Sequence, residues 1–152
     1  MEYYETISEG YDELYGEEQV EKARMVLRYI NPKGRLLDVG AGTGVATRLF
    51  ERYCECVALD PSEKLLERYD GKKIASKAEN IPFPKDCFDV VISLTALHHS
   101  DLKKALEEIF RVVKPNGQIA ISMLKKAEFD ISLFKDFKKI DGGKDWIFVK
   151  NV

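Results

Sequence analysis

Apolar and polar positions alternate in blocks along this chain, and the blocks have two different periods. The stretches Leu36-Leu37, Cys56-Val57-Ala58-Leu59, Val90-Val91-Ile92 and Ile119-Ala120-Ile121 are short and almost wholly apolar, as expected of strands buried on both faces. Between them, apolar residues recur at three- and four-residue steps, the spacing of a helix with one buried stripe. The pattern predicts strands at 35–39, 55–60, 73–77, 88–94 and 118–124. It predicts helices over Glu18 to Ile30, Gly44 to Tyr53, Glu63 to Tyr69 and Leu102 to Val113, the first burying Val20, Ala23, Leu27 and Ile30. Asn31-Pro32-Lys33-Gly34 and Lys114-Pro115-Asn116-Gly117 read as turns that stop a helix and launch a strand. Ala127 to Phe137 leaves room for one or two helical turns. Phe134 to Ile140 and Trp146 to Asn151, joined around Asp141-Gly142-Gly143-Lys144, then read as a β-hairpin. Strands alternating with helices give an α/β fold, a parallel sheet covered on both faces.

The first strand ends in unusual chemistry: Leu36-Leu37-Asp38-Val39-Gly40-Ala41-Gly42-Thr43-Gly44 places a carboxylate ahead of three alternating glycines and a helix start. Glycine permits a tight turn and a close approach of backbone to ligand. The dinucleotide fingerprint G-x-G-x-x-G requires its third glycine at position 45, where this chain has Val45. A pyrophosphate would be repelled by Asp38, whereas a ligand carrying an ammonium and a sulfonium would be held by it. The loop therefore favours a cationic cofactor, and a nicotinamide oxidoreductase is disfavoured.

LLDVGAGTG resembles the first motif of the class I S-adenosylmethionine-dependent methyltransferases, and further segments match that family in order. Asp60 closes the second strand where the family places the acid that holds both ribose hydroxyls, with Pro61 following. Ala78-Glu79-Asn80-Ile81-Pro82-Phe83-Pro84 resembles the adenine-side loop, and Phe88 to His99 the fourth strand and the loop after it. Leu106 to Ile119 resembles the next helix, turn and fifth strand, so the likeness covers roughly residues 11 to 150. It implies a Rossmann-like, doubly wound, mostly parallel seven-stranded sheet in order 3-2-1-4-5-7-6, with helices on both faces. The chain divides accordingly into an N-terminal arm and helix over the cofactor (1–30), a cofactor-binding core (31–124), and a short connection with a C-terminal hairpin (125–152).

The resemblance implies S-adenosylmethionine as cofactor and S-adenosylhomocysteine as product. Its cofactor contacts fall on Tyr11, Asp38, Gly40, Ala41, Gly42, Gly44, Asp60, Pro61, Ala78, Glu79 and Leu94. Position 77, often an acid in the family, is Lys77 here, so Glu79 or a backbone carbonyl has to receive the adenine amino group. His98 and His99 are the chain's two histidines, and both follow strand 4 near the expected methyl, where one could take a proton from the acceptor. The competing role for them is to hydrogen-bond the loop near Asp101, since transfer from a sulfonium needs little beyond in-line positioning. Tyr3, Tyr4, Tyr11 and Tyr15 form an N-terminal cluster able to meet the cofactor's methionine end, Tyr11 ahead of Tyr15.

At 152 residues and 45% hydrophobic content the chain suits one core. Its net charge of −2 gives no general attraction to nucleic acid or anionic membranes. No apolar run approaches a membrane span, and the acidic start MEYYETISEG is unlike a signal peptide, so a cytoplasmic location is expected. Cys54, Cys56 and Cys87 suggest neither a disulfide framework nor a zinc site, and paired histidines without nearby acids do not suggest a metal. Ser93-Leu94-Thr95-Ala96 stands where amino methylases of bases or glutamine carry an Asn/Asp-Pro-Pro-Tyr tetrad. A small-molecule acceptor is expected, as in quinone-type methyltransferases, with a tRNA or protein acceptor as the alternative. The missing C-terminal insert implies an open pocket covered by the N-terminal segment or by the substrate. A non-catalytic cofactor-binding subunit or scaffold is the leading reading of another class. Aminopropyl transfer would want more acid beyond strand 4 than Asp101. The oligomeric state is not written in the sequence.

Overall fold

The computed structural model describes the backbone of residues 9–152 and the side chains from Glu13 onward. Its seven strands are β1 (Arg35–Val39), β2 (Glu55–Asp60), β3 (Lys72–Ala75), β4 (Phe88–Leu94), β5 (Val113–Leu124), β6 (Lys138–Gly142) and β7 (Asp145–Asn151). They form one sheet in the order β3-β2-β1-β4-β5-β7-β6, as the sequence reading expects. The pairs from β3 through to β5 are parallel, and β7 runs antiparallel to both of its neighbours. The helices are α1 (Glu9–Val26), α2 (Val45–Phe50), α3 (Glu63–Leu66) and α4 (Leu102–Val112), with a 3-10 turn at Ile131–Phe134 in the short connection before β6.

Adjacent apolar residues in each strand point to opposite faces, which gives the sheet two cores. Leu37, Val39, Val91, Ile119 and Ile121 face α4 and its Leu106, Ile109 and Val112, and this layer extends to Phe134, Phe137 and Phe148. Leu36, Val90, Ile92 and Ala120 face the other way, against Ala23, Val26 and Ile30 of the α1 segment and Ala46 and Phe50 of α2. Short polar devices set the helix starts: Ser62 accepts from the Leu65 N–H at 3.1 Å, and Asp101 from the Lys104 N–H at 3.2 Å.

Several elements depart from the periodic reading: α2 stops at Phe50 and α3 at Leu66, short of Tyr53 and Tyr69, and β6 runs over Lys138–Gly142, with Phe134 in the 3-10 turn and Asp141 and Gly142 in the strand. α1 runs over Glu9–Val26 rather than Glu18 to Ile30; its buried residues are Gln19, Ala23 and Val26, with Ile30 buried beyond its end, and Val20 and Leu27 are half-buried. Beyond its end the chain is held by a polar clasp, where the Asn31 N–H donates to Gln118 Oε1 (2.7 Å) and Gln118 Nε2 donates to the Asn31 carbonyl (2.6 Å). β3 ends at Ala75, so Lys77 lies beyond the strand. The Lys114-Pro115-Asn116-Gly117 segment, expected as a turn before the fifth strand, is a bulge inside β5: Phe88 pairs with Val113 and Val90 with Gln118, and Asn116 takes φ +67°.

The aromatic layer beneath the hairpin gives a direct stability test. Phe148 is 1% exposed and stacks on Phe134 with ring centroids 4.1 Å apart. Phe148→Ala is expected to lower the unfolding free energy by about 3 to 5 kcal/mol in urea titrations, with Lys126→Ala, on the exposed connection, changing it by less than about 0.5 kcal/mol.

Candidate functional site

The carboxyl ends of β1, β2 and β4 meet where the strand order reverses, the location at which open parallel sheets bind ligands. Asp38 stands one residue before the end of β1 and is 2% exposed. Thr47 of α2 donates to its Oδ2 at 2.8 Å. Burial pushes the Asp38 carboxyl up to about 7, against the Thr47 hydrogen bond, and Asp60 adds to the rise. Asp38, Gly40, Ala41 and Leu94 line one small cavity together with Tyr15 and Gln19 of α1 and Val45 and Ala46 of α2.

Asp60, 4% exposed at the end of β2, ties the glycine loop down. Its Oδ2 accepts from the Gly42 N–H and its Oδ1 from the Ser62 N–H, both at 2.9 Å. Burial pushes its pKa up, opposed by those two N–H donors. The Gly40 and Ala41 N–H groups donate to the Leu59 carbonyl. All three glycines take positive φ, but their missing side chains serve different ends. A Cβ on Gly40 would lie 2.2 Å from Ala96 Cβ, and one on Gly44 2.4 Å from the Tyr69 ring. These two glycines allow protein to pack on protein. At Gly42 a Cβ would meet only the Tyr15 hydroxyl, 3.4 Å away, whereas the loop glycine that lines the small cavity is Gly40.

The remaining sequence candidates lie outside that cavity's lining. Ala78 packs against the α4-side core, and Glu79 accepts from the Asp101 N–H at 3.1 Å. The loop after them is held by two α4 side chains that sequence reading missed: Glu108 accepts from the Ile81 N–H, and Arg111 donates to the Ile81 and Phe83 carbonyls. Pro61 is exposed beside Asp60. His98 is half-buried, and its Nε2 accepts from the Leu124 N–H at 3.0 Å. Burial lowers its pKa, with Asp145 pulling the other way. His99 is exposed. Tyr3, Tyr4 and the Tyr11 side chain lie outside the described residues, and Tyr15 is the cluster member seen at the glycine loop.

A second, larger hollow of about 700 Å³ opens between α1 and the C-terminal hairpin. Val45 lines both spaces. At its floor is a polar cluster that the sequence reading did not identify. Lys22 Nζ donates to Thr95 Oγ1 at 2.7 Å, and Thr95 Oγ1 donates to Asp145 Oδ2 at 2.6 Å. Ser122 Oγ lies 3.1 Å from the same hydroxyl, whose proton is already committed, and so donates to it. Asp145 Oδ1 sits 3.7 Å from Lys22 Nζ but accepts no hydrogen bond among the described residues, although the side chain is 2% exposed. A buried acceptor left in that state costs about 1 to 3 kcal/mol. Thr95 follows β4 with φ +54°, an unusual conformation for a β-branched residue. The signal for this cluster was weak, because Asp145 reads as turn polarity and Lys22 as one charge on a charged helix.

Among the described residues no group of histidine, cysteine, aspartate and glutamate is arranged to hold a metal, and no helix is long and apolar enough to cross a membrane.

Comparison with known proteins agrees with this geometry. Residues 37–121 match the family model described as a methyltransferase domain. The uncharacterized methyltransferase YcgJ of Bacillus subtilis is 34% identical over 99 residues, covering 57% of this chain and 39% of YcgJ. The demethylmenaquinone methyltransferase of Thermotoga maritima is 32% identical over 137 residues, covering 80% of this chain and 59% of that protein. The chain thus spans between two fifths and three fifths of the length of these relatives. The crystal structure of the PH0226 protein from Pyrococcus horikoshii superposes with a TM-score of 0.76 at 19% identity over 99% of this chain and 98% of that one, a likeness of fold. With the glycine loop, the acids ending β1 and β2 and the strand order all in place, the chain belongs to the class I S-adenosylmethionine-dependent methyltransferase family.

Proposed function

We propose that this protein transfers a methyl group from S-adenosylmethionine to a small-molecule acceptor. The observation that carries the reading is the buried Asp38 carboxylate, which lines one small cavity with Gly40 and Ala41 of the glycine loop where the strand order reverses. An acid held in a low-polarity floor suits a cationic ligand end, because a positive charge there restores the ionised state that burial disfavours. Asp60, beyond β2, has lone pairs left after its two N–H contacts with which to accept from a vicinal diol. The residues therefore fit S-adenosylmethionine, which supplies an electrophilic methyl on sulfur when bound.

The part left to the protein is positioning. Ala96 packed on Gly40 fixes the loop after β4 against the loop after β1, and Leu94 closes the apolar side of the cavity. Because His98 Nε2 already accepts from Leu124, we assign His98 to holding the loop, while His99, exposed on the same loop, is the histidine free to meet an acceptor's proton. The cavity beside Asp38 is about the size of one water, about 10 Å³, so Tyr15 and Gln19 of α1 have to shift to admit the cofactor. A small-molecule acceptor is supported by the relative named for demethylmenaquinone and by the hollow of about 700 Å³ next to the site. A broad exposed platform would instead suit RNA or protein.

Calorimetric titration tests the reading. S-adenosylmethionine and S-adenosylhomocysteine are expected to bind at micromolar concentration, NAD not at all, and Asp60→Ala to lose the sulfur ligands while remaining folded. Absence of binding by either sulfur ligand to folded protein overturns the reading in favour of a scaffold.

The Asp38 carboxyl sets a pH dependence. A cationic ligand end binds the ionised form, so affinity rises with pH through about 7; S-adenosylmethionine is expected to bind about tenfold more weakly at about pH 6 than at about pH 8, and Asp38→Asn to flatten the profile. Folding without ligand follows the opposite sign. A carboxyl whose folded pKa is raised contributes stability below its unfolded value and loses it as pH rises through about 7, so thermal melts of the unliganded protein should fall across that range less steeply in Asp38→Asn.

A further inference from the structure

We infer that the hollow beside α1 is the methyl-acceptor site, and that Asp145 and Lys22 at its floor select an acceptor carrying a hydroxyl group on an apolar body. The inference rests on the methyltransferase reading above and deepens it. Asp145 enters from the first residue of β7, which runs opposite to β5 and so brings its start to the sheet edge where the strands around the cofactor loop end. The register pairs Asp145 with Leu124, the last residue of β5. Its Oδ1 is buried at the floor with no hydrogen bond from the described residues. Lys22 reaches the same point from α1 and spends one of its three N–H donors on Thr95. The floor thus offers an acceptor and a cationic donor side by side, 3.7 Å apart.

Charge and hydrogen bonding together narrow the ligand. An ammonium would be opposed by Lys22 and a carboxylate by Asp145, at short range. A neutral hydroxyl satisfies both, donating to Asp145 Oδ1 and accepting from Lys22. The apolar part of the lining, Leu14, Val20, Met25, Val45, Leu124 and Ile147, suits an apolar ring or chain, and charged side chains of α1 together with Lys144 share the hollow. The hollow also adjoins the cofactor region. Val45 begins the helix after the glycine loop and lines both spaces, and Thr95, hydrogen-bonded to both floor residues, precedes the Ala96 that packs on Gly40. The hydroxyl therefore lies within one residue's reach of the loop that positions the methyl.

Amide-resolved NMR titration of the full chain tests this, with β-naphthol as the probe and its methyl ether as the same shape without the donor. S-adenosylhomocysteine is titrated in parallel on the same samples. The expected result is saturable shifts in 142–147 and α1 on adding β-naphthol, with the ether at least about tenfold weaker. Asp145→Asn and Lys22→Met should each remove that preference while leaving S-adenosylhomocysteine binding unchanged. Equal binding of the two compounds to the wild type, or no binding, in samples that do bind S-adenosylhomocysteine, overturns the inference and leaves the methyltransferase reading intact. Preference for β-naphthol without any S-adenosylhomocysteine binding overturns the acceptor role and the methyltransferase reading together, while keeping hydroxyl selectivity. The wild-type comparison decides the matter even if Asp145→Asn fails to fold.

Discussion

Everything at the carboxyl edge of this sheet depends on a gap too small for a methyl group. Gly40 and Ala96 pack so closely that a side chain on the former would sit 2.2 Å from that of the latter. The contact joins the loop after β1 to the loop after β4, the two segments flanking the reversal of strand order. A larger residue at Gly40 would separate these loops, and the positions of Asp38, Leu94 and Thr95 would cease to be correlated. Close packing of this kind is stiff, so a site built on it is placed to within a fraction of an ångström.

The sheet's two apolar faces free its edge for chemistry. Strands β1, β4 and β5 are buried on both sides, so their polar side chains are confined to the ends and to a few interior positions that must be paired. Ser93, fully buried in β4, donates to the Val39 carbonyl, and Asp38 is held by Thr47. Asp145 of β7 is less completely paired, with one oxygen hydrogen-bonded and the other, 3.7 Å from Lys22 Nζ, accepting no hydrogen bond among the described residues. An incompletely paired carboxylate at the floor of a hollow is tolerable where a ligand completes it.

α1 belongs to both spaces. Its Tyr15 and Gln19 close the small cavity over Asp38, while Lys22, one turn further on, reaches the floor of the larger one. On the proposed function, admission of cofactor and recognition of acceptor fall to one helix, whose attachment to the rest of the sheet runs through Ala23, Val26 and the Asn31 to Gln118 clasp. Motion of this helix would affect both ligands together.

Much of the architecture was legible in the chain alone. The apolar runs located β1, β2 and β4 to the residue, and the glycine loop with its preceding acid named the cofactor class, because both are encoded in neighbouring residues. The helix boundaries and the bulge in β5 were less accessible. Burial on α1 fell on Gln19 and Val26 rather than Val20 and Leu27, since the face a helix turns to the sheet is chosen by packing against Leu36, Val90 and Ile92, distant in sequence. The roles of the three glycines were visible only once Ala96 and Tyr69 were seen to occupy the space beside Gly40 and Gly44. Lys22, Thr95, Ser122 and Asp145 come from α1, the loop after β4, β5 and β7, and no local pattern links them. Short-range periodicity determined the strands and the cofactor loop, because their causes lie within a few residues. The cluster of Lys22, Thr95, Ser122 and Asp145 was decided by tertiary structure alone, because only the antiparallel insertion of β7 beside β5 brings a turn-adjacent aspartate beside a lysine from the first helix.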